Sequence, residues 1–339
     1  MLTAVRWLLG VVLAAGLAQA ALADTLEDVK ARGTLRCGVN GAVPGLSYKD
    51  DAGNWSGLDV DFCRAVAAAV LGDKRKVELI PLENSERLEA LRNGRIDLLT
   101  RNTTWTLSRD LDYGMSFAGI LYHDGQGFMV PRSGGLLSAL ELGGKRICTL
   151  ENTTGPGNAQ RYFTRHRMQV QVQTYAGFEA AKRAYLESEC DALANDQTQL
   201  FAMRTTLEDP GAHRILGEII SKEPLTPAVR KGDARWLDIV RWTLYLIIDA
   251  EEGGISSANL DRAREQAKAG TTRLLLDLDG KTAAALGLDP GWSQRIIRQV
   301  GNYSEIFERN VGANSPLKIK RGMNALWRDG GILYAPPAR

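Results

Sequence analysis

The residues best suited to chemistry in this chain are ones that grip a small charged molecule. Asn102-Thr103-Thr104-Trp105-Thr106-Leu107-Ser108-Arg109 follows a short apolar run ending at Thr100. The Arg109 guanidinium is a planar fork of N–H donors that matches a carboxylate at two points. The Thr104 hydroxyl and backbone N–H add donors for the same anion. Read alone, Arg109 also suits a surface ion pair with Asp110 or Asp112. A second group, Asn152-Thr153-Thr154-Gly155-Pro156-Gly157, lies between a strand and a helix. Free N–H groups at a helix start favour an anion. The same residues also read as plain capping, with Thr154 as the cap and Pro156 in the first turn. A third group, Ala194-Asn195-Asp196-Gln197-Thr198-Gln199, puts an acid after a strand. Asp196 can face an ammonium group, or cap the next helix in a box with Gln199. An arginine and two hydroxyl-rich loops in one place, with an aspartate opposite, would match a zwitterion.

Such loops meet only if the fold gathers the carboxyl ends of strands, where α/β sheets hold their ligands. The patterning is consistent with that. Thr25 to Arg32 reads as a short helix ending at Gly33, and Leu35 to Val39 as a strand. Tyr48 to Trp55 reads as a hairpin around turn residues. From Asp59 the period becomes helical, with Val60, Cys63, Val66, Ala67 and Val70 on one buried face. Val77 to Leu82 is a strand, Ser85 to Asn93 a helix closed by Gly94, and Ile96 to Thr100 a strand. The grammar then repeats: strand Lys145 to Leu150, helix Gly157 to His166, strand Gln169 to Tyr175, helix Phe178 to Glu187, strand Asp191 to Ala194, helix Gln197 to Thr205. This alternation predicts two α/β lobes of similar plan. Lobe 1 is expected over 24–122 and 226–339, lobe 2 over 127–220, with crossings at 122–127 and 220–226. Phe128 to Pro131 is a strand at the start of lobe 2, and Trp236 to Glu252 a strong helix of the returning chain.

Composition narrows the function classes. Of 339 residues, 42 are basic and 40 acidic, mixed along the chain without a basic block, so nucleic acid is not an expected partner. Arg6, the apolar run Trp7 to Ala18 and the small residues of Ala21-Leu22-Ala23 read as an export signal over 1–23, cleaved before Asp24. A retained anchor is the alternative, but the run is shorter than the roughly 20 residues a span needs. The chain is therefore expected in the periplasm. Four cysteines behind an export signal allow two disulfides in three connectivities. No pair has CxxC spacing, and the three histidines, His123, His166 and His213, are far apart, so no metal or other cofactor is expected.

Four segments carry a family resemblance. GNWSGLDVDFCRAVAAAV (Gly53 to Val70) and NGRIDLLTRNTTWTLSRD (Asn93 to Asp110) resemble the solute-binding proteins of polar amino-acid ABC transporters. EIISKEPLTPAVRKGDARWLDIVRWT (Glu218 to Thr243) and QVGNYSEIFERNVGANSPLKIKRGMNALWRDGGILYAPP (Gln299 to Pro337) resemble the general L-amino-acid-binding subgroup in particular. The resemblance covers nearly all of the mature chain. It implies a type II periplasmic-binding-protein-like fold of two α/β lobes joined by a two-strand hinge. It places Arg109 and Thr104 on the ligand carboxylate and the Asn102 carbonyl on its ammonium. Thr153 and Thr154 match the threonines of a Gly-Thr-Thr turn in the second lobe, with Asn152 in place of its glycine. The ammonium-binding aspartate falls on Asp196. Where narrow relatives cover the ligand side chain with aromatics, this chain has Asn40-Gly41-Ala42-Val43 and Asn84-Ser85, so Asn40 and Asn84 are expected to line a roomier, more polar pocket. The C-terminal part exceeds the common family length.

Cys37 lies in the first strand and Cys63 on the helix that covers it, while Cys148 and Cys190 sit at strands of the second lobe. The expected pairs are Cys37–Cys63 and Cys148–Cys190, with four buried free thiols as the alternative. The resulting expectation is a monomeric, non-enzymatic subunit that binds a broad range of free L-amino acids, polar and acidic ones included. It would close its lobes on the ligand and present the closed surface to inner-membrane ABC permease subunits. An enzyme on the same scaffold and a ligand reporter for a sensor are the rival readings.

Overall fold

The computed structural model describes residues 24–267 and 270–338, so the expected signal segment lies outside the described residues. Two five-stranded sheets form the frame. In the first, Leu35–Val39 lies between Val77–Pro81 and Leu98–Leu99, all parallel. Ala228–Arg230 follows, antiparallel to both Leu98–Leu99 and Met115–Phe117. The second sheet repeats the plan. Arg146–Leu150 lies between Gln171–Tyr175 and Ala192–Asp196 in parallel, and Gln126–Pro131 then runs antiparallel to Ala192–Asp196 and His213–Ile215. The first sheet therefore takes strands from both ends of the chain and the second takes them from the middle. Outside both sheets, Tyr122–Asp124 and Glu223–Leu225 pair as a two-stranded antiparallel ribbon, with Glu223 opposite Asp124.

The expected helix after Asp59 spans Leu58–Leu71. The reading of a single buried face is corrected here. Every residue from Leu58 to Val70 except Arg64 is buried. One side covers the first sheet. The other is covered by Ala234–Glu252, Trp292–Gln299 and Tyr303–Asn310, the last two from the C-terminal extension. A helix apolar on all sides must be enclosed, and the extension encloses this one. Charge fastens the contact: buried Asp61 accepts from Arg309 Nε and Asn310 Nδ2, each at 2.7 Å, and pairs with Arg64 at 3.1 Å. Gly57, just before the helix, has φ of 128°, and a Cβ there would stand 2.1 Å from the Leu46 carbonyl oxygen, so glycine alone fits.

Both expected disulfides are present. Cys37–Cys63 ties the strand Leu35–Val39 of the first sheet to the enclosed helix, and Cys148–Cys190 ties the strand Arg146–Leu150 of the second to the turn before Ala192. Among the described residues no helix is long and apolar enough to cross a membrane.

Candidate functional site: a cleft between the lobes

The loop after Leu98–Leu99 is built mainly by backbone contacts. The Asn102 N–H donates to Asp59 Oδ2 at 3.1 Å, which holds Asn102 at φ of 36°. Asparagine tolerates that left-handed region better than most side chains. Asp59 is buried, and burial raises its carboxyl to a pKa of about 8, against the Asn102 N–H and the Arg101 charge. Buried Arg101 reaches back with Nε on the Leu82 carbonyl and Nη1 on Asn84 Oδ1, both at 2.6 Å, and so fixes Asn84. The loop then runs beside the connecting ribbon: the Trp105 N–H donates to the Pro224 carbonyl and the Thr226 N–H to the Thr103 carbonyl, each at 2.9 Å. Thr106 caps the helix Leu107–Asp112, which turns Arg109 inward. Arg109 Nη1 donates to the Thr104 carbonyl at 2.8 Å. The surface pair with Asp110 does not form, because Asp110 accepts from Trp105 Nε1 at 3.0 Å.

In the second lobe, Arg146–Leu150 feeds a turn in which Asn152 has φ of 56°. Thr153 Oγ1 donates to the Leu150 carbonyl at 2.6 Å and accepts from the Gly155 N–H at 3.1 Å. The helix Gly155–Arg165 starts there with Pro156 in its first turn. Thr154 holds the cap position, but its hydroxyl caps nothing. It donates to Glu223 Oε2 at 2.9 Å, and the Thr104 hydroxyl donates to the same oxygen at 2.6 Å. Both hydroxyls, expected as donors to an anion, thus already have their protons on Glu223, and only their lone pairs remain. The third loop also departs from plain capping. The strand Ala192–Asp196 runs two residues further than expected and delivers Asp196 into the cleft. There Asp196 Oδ2 accepts from Gln199 Nε2 at 3.0 Å, and no side-chain cap forms.

These pieces meet in one small cavity between the lobes. Asn84, Asn102, Thr104 and Arg109 line it from the first lobe, and Thr153, Thr154 and Asp196 from the second. Asn40 does not reach it; its amide lies 3.5 Å from Asn102 Oδ1, one layer behind. The expected polar lining is present, and Arg87 stands in the same cavity. Sequence reasoning missed Arg87, Gln199 and Asn195. Arg87 opens the helix Arg87–Arg92 on a segment with an ordinary amphipathic pattern, so nothing local marked it. It is 2% exposed, and among the described residues its side chain makes a single hydrogen bond, a long one of 3.4 Å from Nη1 to the Arg101 carbonyl, while its Nε has no partner.

Burial dominates the electrostatics of the cavity. Burial pushes the Arg87 guanidinium well below its ordinary value, with Arg101 and Arg109 adding to the shift and Asp196 opposing it. Burial also lowers Arg109, with Glu223 and Asp196 opposing. Asp196 is pushed well above the usual carboxylate range, first by burial and then by Asp124 and Glu223. Desolvated guanidinium groups without an ion pair gain most from a carboxylate, and a desolvated carboxylate gains most from an ammonium. Among the described residues no cluster of metal-binding side chains exists.

Comparison with known proteins identifies the family. Residues 35–252 match the bacterial extracellular solute-binding proteins, family 3. The general L-amino acid-binding periplasmic protein AapJ of Rhizobium johnstonii is 50% identical over 97% of this chain and 96% of its own. The glutamate/glutamine/aspartate/asparagine-binding protein BztA of Rhodobacter capsulatus is 44% identical over 97% of each. Among solved structures, an ABC transporter/periplasmic binding protein from Brucella ovis with glutathione bound superposes with a TM-score of 0.91 at 48% identity, covering 94% of this chain and 100% of that one. The cysteine-binding protein of Campylobacter jejuni has a TM-score of 0.59 at 26% identity, covering 72% and 93%. The relatives of full length extend the likeness through the C-terminal helices beyond the family match. The chain belongs to the bacterial extracellular solute-binding proteins, family 3.

Proposed function

We propose that this chain is the periplasmic amino-acid-binding subunit of an ABC importer, and that it works by closing two lobes on its ligand. One observation carries the reading. Arg109 from one lobe and Asp196 from the other face a single buried cavity, each shifted by burial toward its neutral form. A zwitterion supplies the missing partner to both. Arg109 takes the carboxylate with the backbone N–H groups of Thr104 and of the helix start at Thr154. Asp196 takes the ammonium, helped by the carbonyl of Asn102. Closure stabilises the ligand because only the closed form offers both halves of the site. The paired segments Tyr122–Asp124 and Glu223–Leu225 serve as the hinge, 24–122 with 226–339 as one lobe and 127–220 as the other. A membrane permease then reads the closed surface of the monomeric chain, which transforms nothing.

Arg87 favours ligands with a second carboxylate. The names of the relatives agree with this, since they include acidic amino acids and a peptide with two carboxylates. The test is calorimetric titration of refolded, ligand-free mature protein with the twenty L-amino acids and glutathione. Binding at micromolar Kd or tighter by several, acidic ones among them, supports the reading. No binding by any refutes it, and binding by glutathione alone would reassign the site to peptides.

A further inference from the structure

Glu223 lies outside the cavity lining, yet it holds both sides of the cleft. It is 2% exposed and sits on the ribbon between the sheets. Its Oε2 accepts the Thr104 hydroxyl of the first lobe at 2.6 Å and the Thr154 hydroxyl of the second at 2.9 Å. Its Oε1 accepts Asn158 Nδ2, from the second lobe's helix, at 2.6 Å and the Ser221 hydroxyl at 2.7 Å. Asn158 Nδ2 also donates to Gln126 Oε1 at 3.0 Å, and Gln126 Nε2 to the Gly155 carbonyl at 3.2 Å. A carboxylate only accepts, and here every accepted proton comes from a neutral donor, with no cation in the set.

We propose that Glu223 is an interlobe latch: a buried acid on the hinge whose hydrogen bonds to Thr104 on one side and to Thr154 and Asn158 on the other hold the lobes in register when they close. Thr104 moves with the ribbon, because its neighbour Trp105 donates to the Pro224 carbonyl. Thr154 and Asn158 belong to the second lobe, so opening must break their bonds to Glu223. Charge-assisted bonds of this kind are about twice as strong as neutral ones. The latch therefore biases the ligand-free protein toward closure, which raises apparent affinity by removing part of the cost of selecting the closed form. It also decides which way Thr104 and Thr154 hydrogen-bond. With their protons on Glu223, their oxygens meet the ligand as acceptors.

The inference rests on lobe closure as proposed above, but its first readout needs no ligand. Small-angle X-ray scattering of the ligand-free mature protein is compared with that of Glu223→Ala, Glu223→Gln and Thr154→Val. Glu223→Ala and Thr154→Val are expected to give a more extended particle. Glu223→Gln, which keeps one oxygen for the two hydroxyls but loses the charge and the acceptor facing Asn158, is expected to fall between wild type and Glu223→Ala. Titration with L-glutamate then gives a Kd at least about tenfold weaker in Glu223→Ala. Thr154→Val is expected to cost several-fold alone and under twofold on top of Glu223→Ala, the signature of one shared interaction. Scattering unchanged in folded Glu223→Ala, or independent multiplying effects in the double variant, would overturn the latch. If wild type binds no amino acid, the functional reading fails while the scattering comparison still decides the latch. Should Glu223→Ala not fold, Thr154→Val carries the same comparison.

Discussion

Replacing Arg109 with alanine is the most direct test of the ligand site. Arg109 is 8% exposed, spends one N–H on the Thr104 carbonyl and has no ion pair among the described residues. Removing it leaves the ligand carboxylate buried with only backbone donors. Truncating one member of a buried, hydrogen-bonded charge pair costs roughly 2–5 kcal/mol. That corresponds to a Kd weakened by about thirtyfold to several thousandfold. Stability of the free protein should move the other way or not at all. Burial lowers the Arg109 pKa, so its charge opposes folding until a ligand arrives. The assay is calorimetric titration with L-glutamate, paired with thermal melts with and without ligand. Wild type at 100 times its Kd gains about 2.7 kcal/mol from binding. Arg109→Ala should melt at or above the wild-type temperature without ligand and gain at most about 0.9 kcal/mol from ligand at the same concentration. Arg109→Lys, which keeps charge but loses the fork, should fall between them. An alanine variant that binds L-glutamate within about threefold of wild type would refute the assignment of Arg109 to the carboxylate.

Further outcomes follow from the same cleft. Arg87→Met should weaken glutamate and aspartate at least tenfold more than glutamine, because only the acids bring a second anion; equal losses in parallel titrations would count against that role. Burial and the nearby Asp124 and Glu223 hold Asp196 above the usual carboxylate range, and an incoming ammonium favours its charged form, so the ligand opposes that shift. Over whatever pH range the empty-site Asp196 is still protonated, binding should release a proton and tighten as pH rises, and the effect should vanish once that carboxyl ionises. Calorimetry in buffers of different ionisation enthalpy reads this, and Asp196→Asn should abolish the buffer dependence. Asp59 has a folded pKa of about 8, above its unfolded value of 3.8. Its stability contribution is therefore fully present below about pH 4 and lost as pH rises through about 8. Denaturation of Asp59→Asn across pH 5–9 should show a flatter profile and, at pH 9, a variant more stable than wild type.

The alternation of strands and helices was legible because hydrophobic period is a local property: Leu35 to Val39, the helix after Asp59 and Gln197 to Thr205 could be read within a residue or two. The three loops could be placed at strand ends, and Arg109, Thr104, Thr154 and Asp196 do converge. Alone, each loop fitted capping or surface pairing as well as binding, and the family resemblance was needed to choose. What only the tertiary structure decided depends on contacts between residues far apart in the chain. Arg87 looks like any amphipathic helix residue until Arg101 and Arg109 are folded beside it. Glu223 lies 119 residues from Thr104 and 69 from Thr154, and no spacing rule links them. The helix Leu58–Leu71 displays one apolar face in its sequence and is buried on nearly all sides, because helices more than 200 residues later close over it. Local sequence sets which elements form, since backbone and period are short-range. Which side chains lose water and find partners is set by the assembled lobes, and that loss of water gives Arg87, Arg109, Asp196 and Glu223 their chemistry.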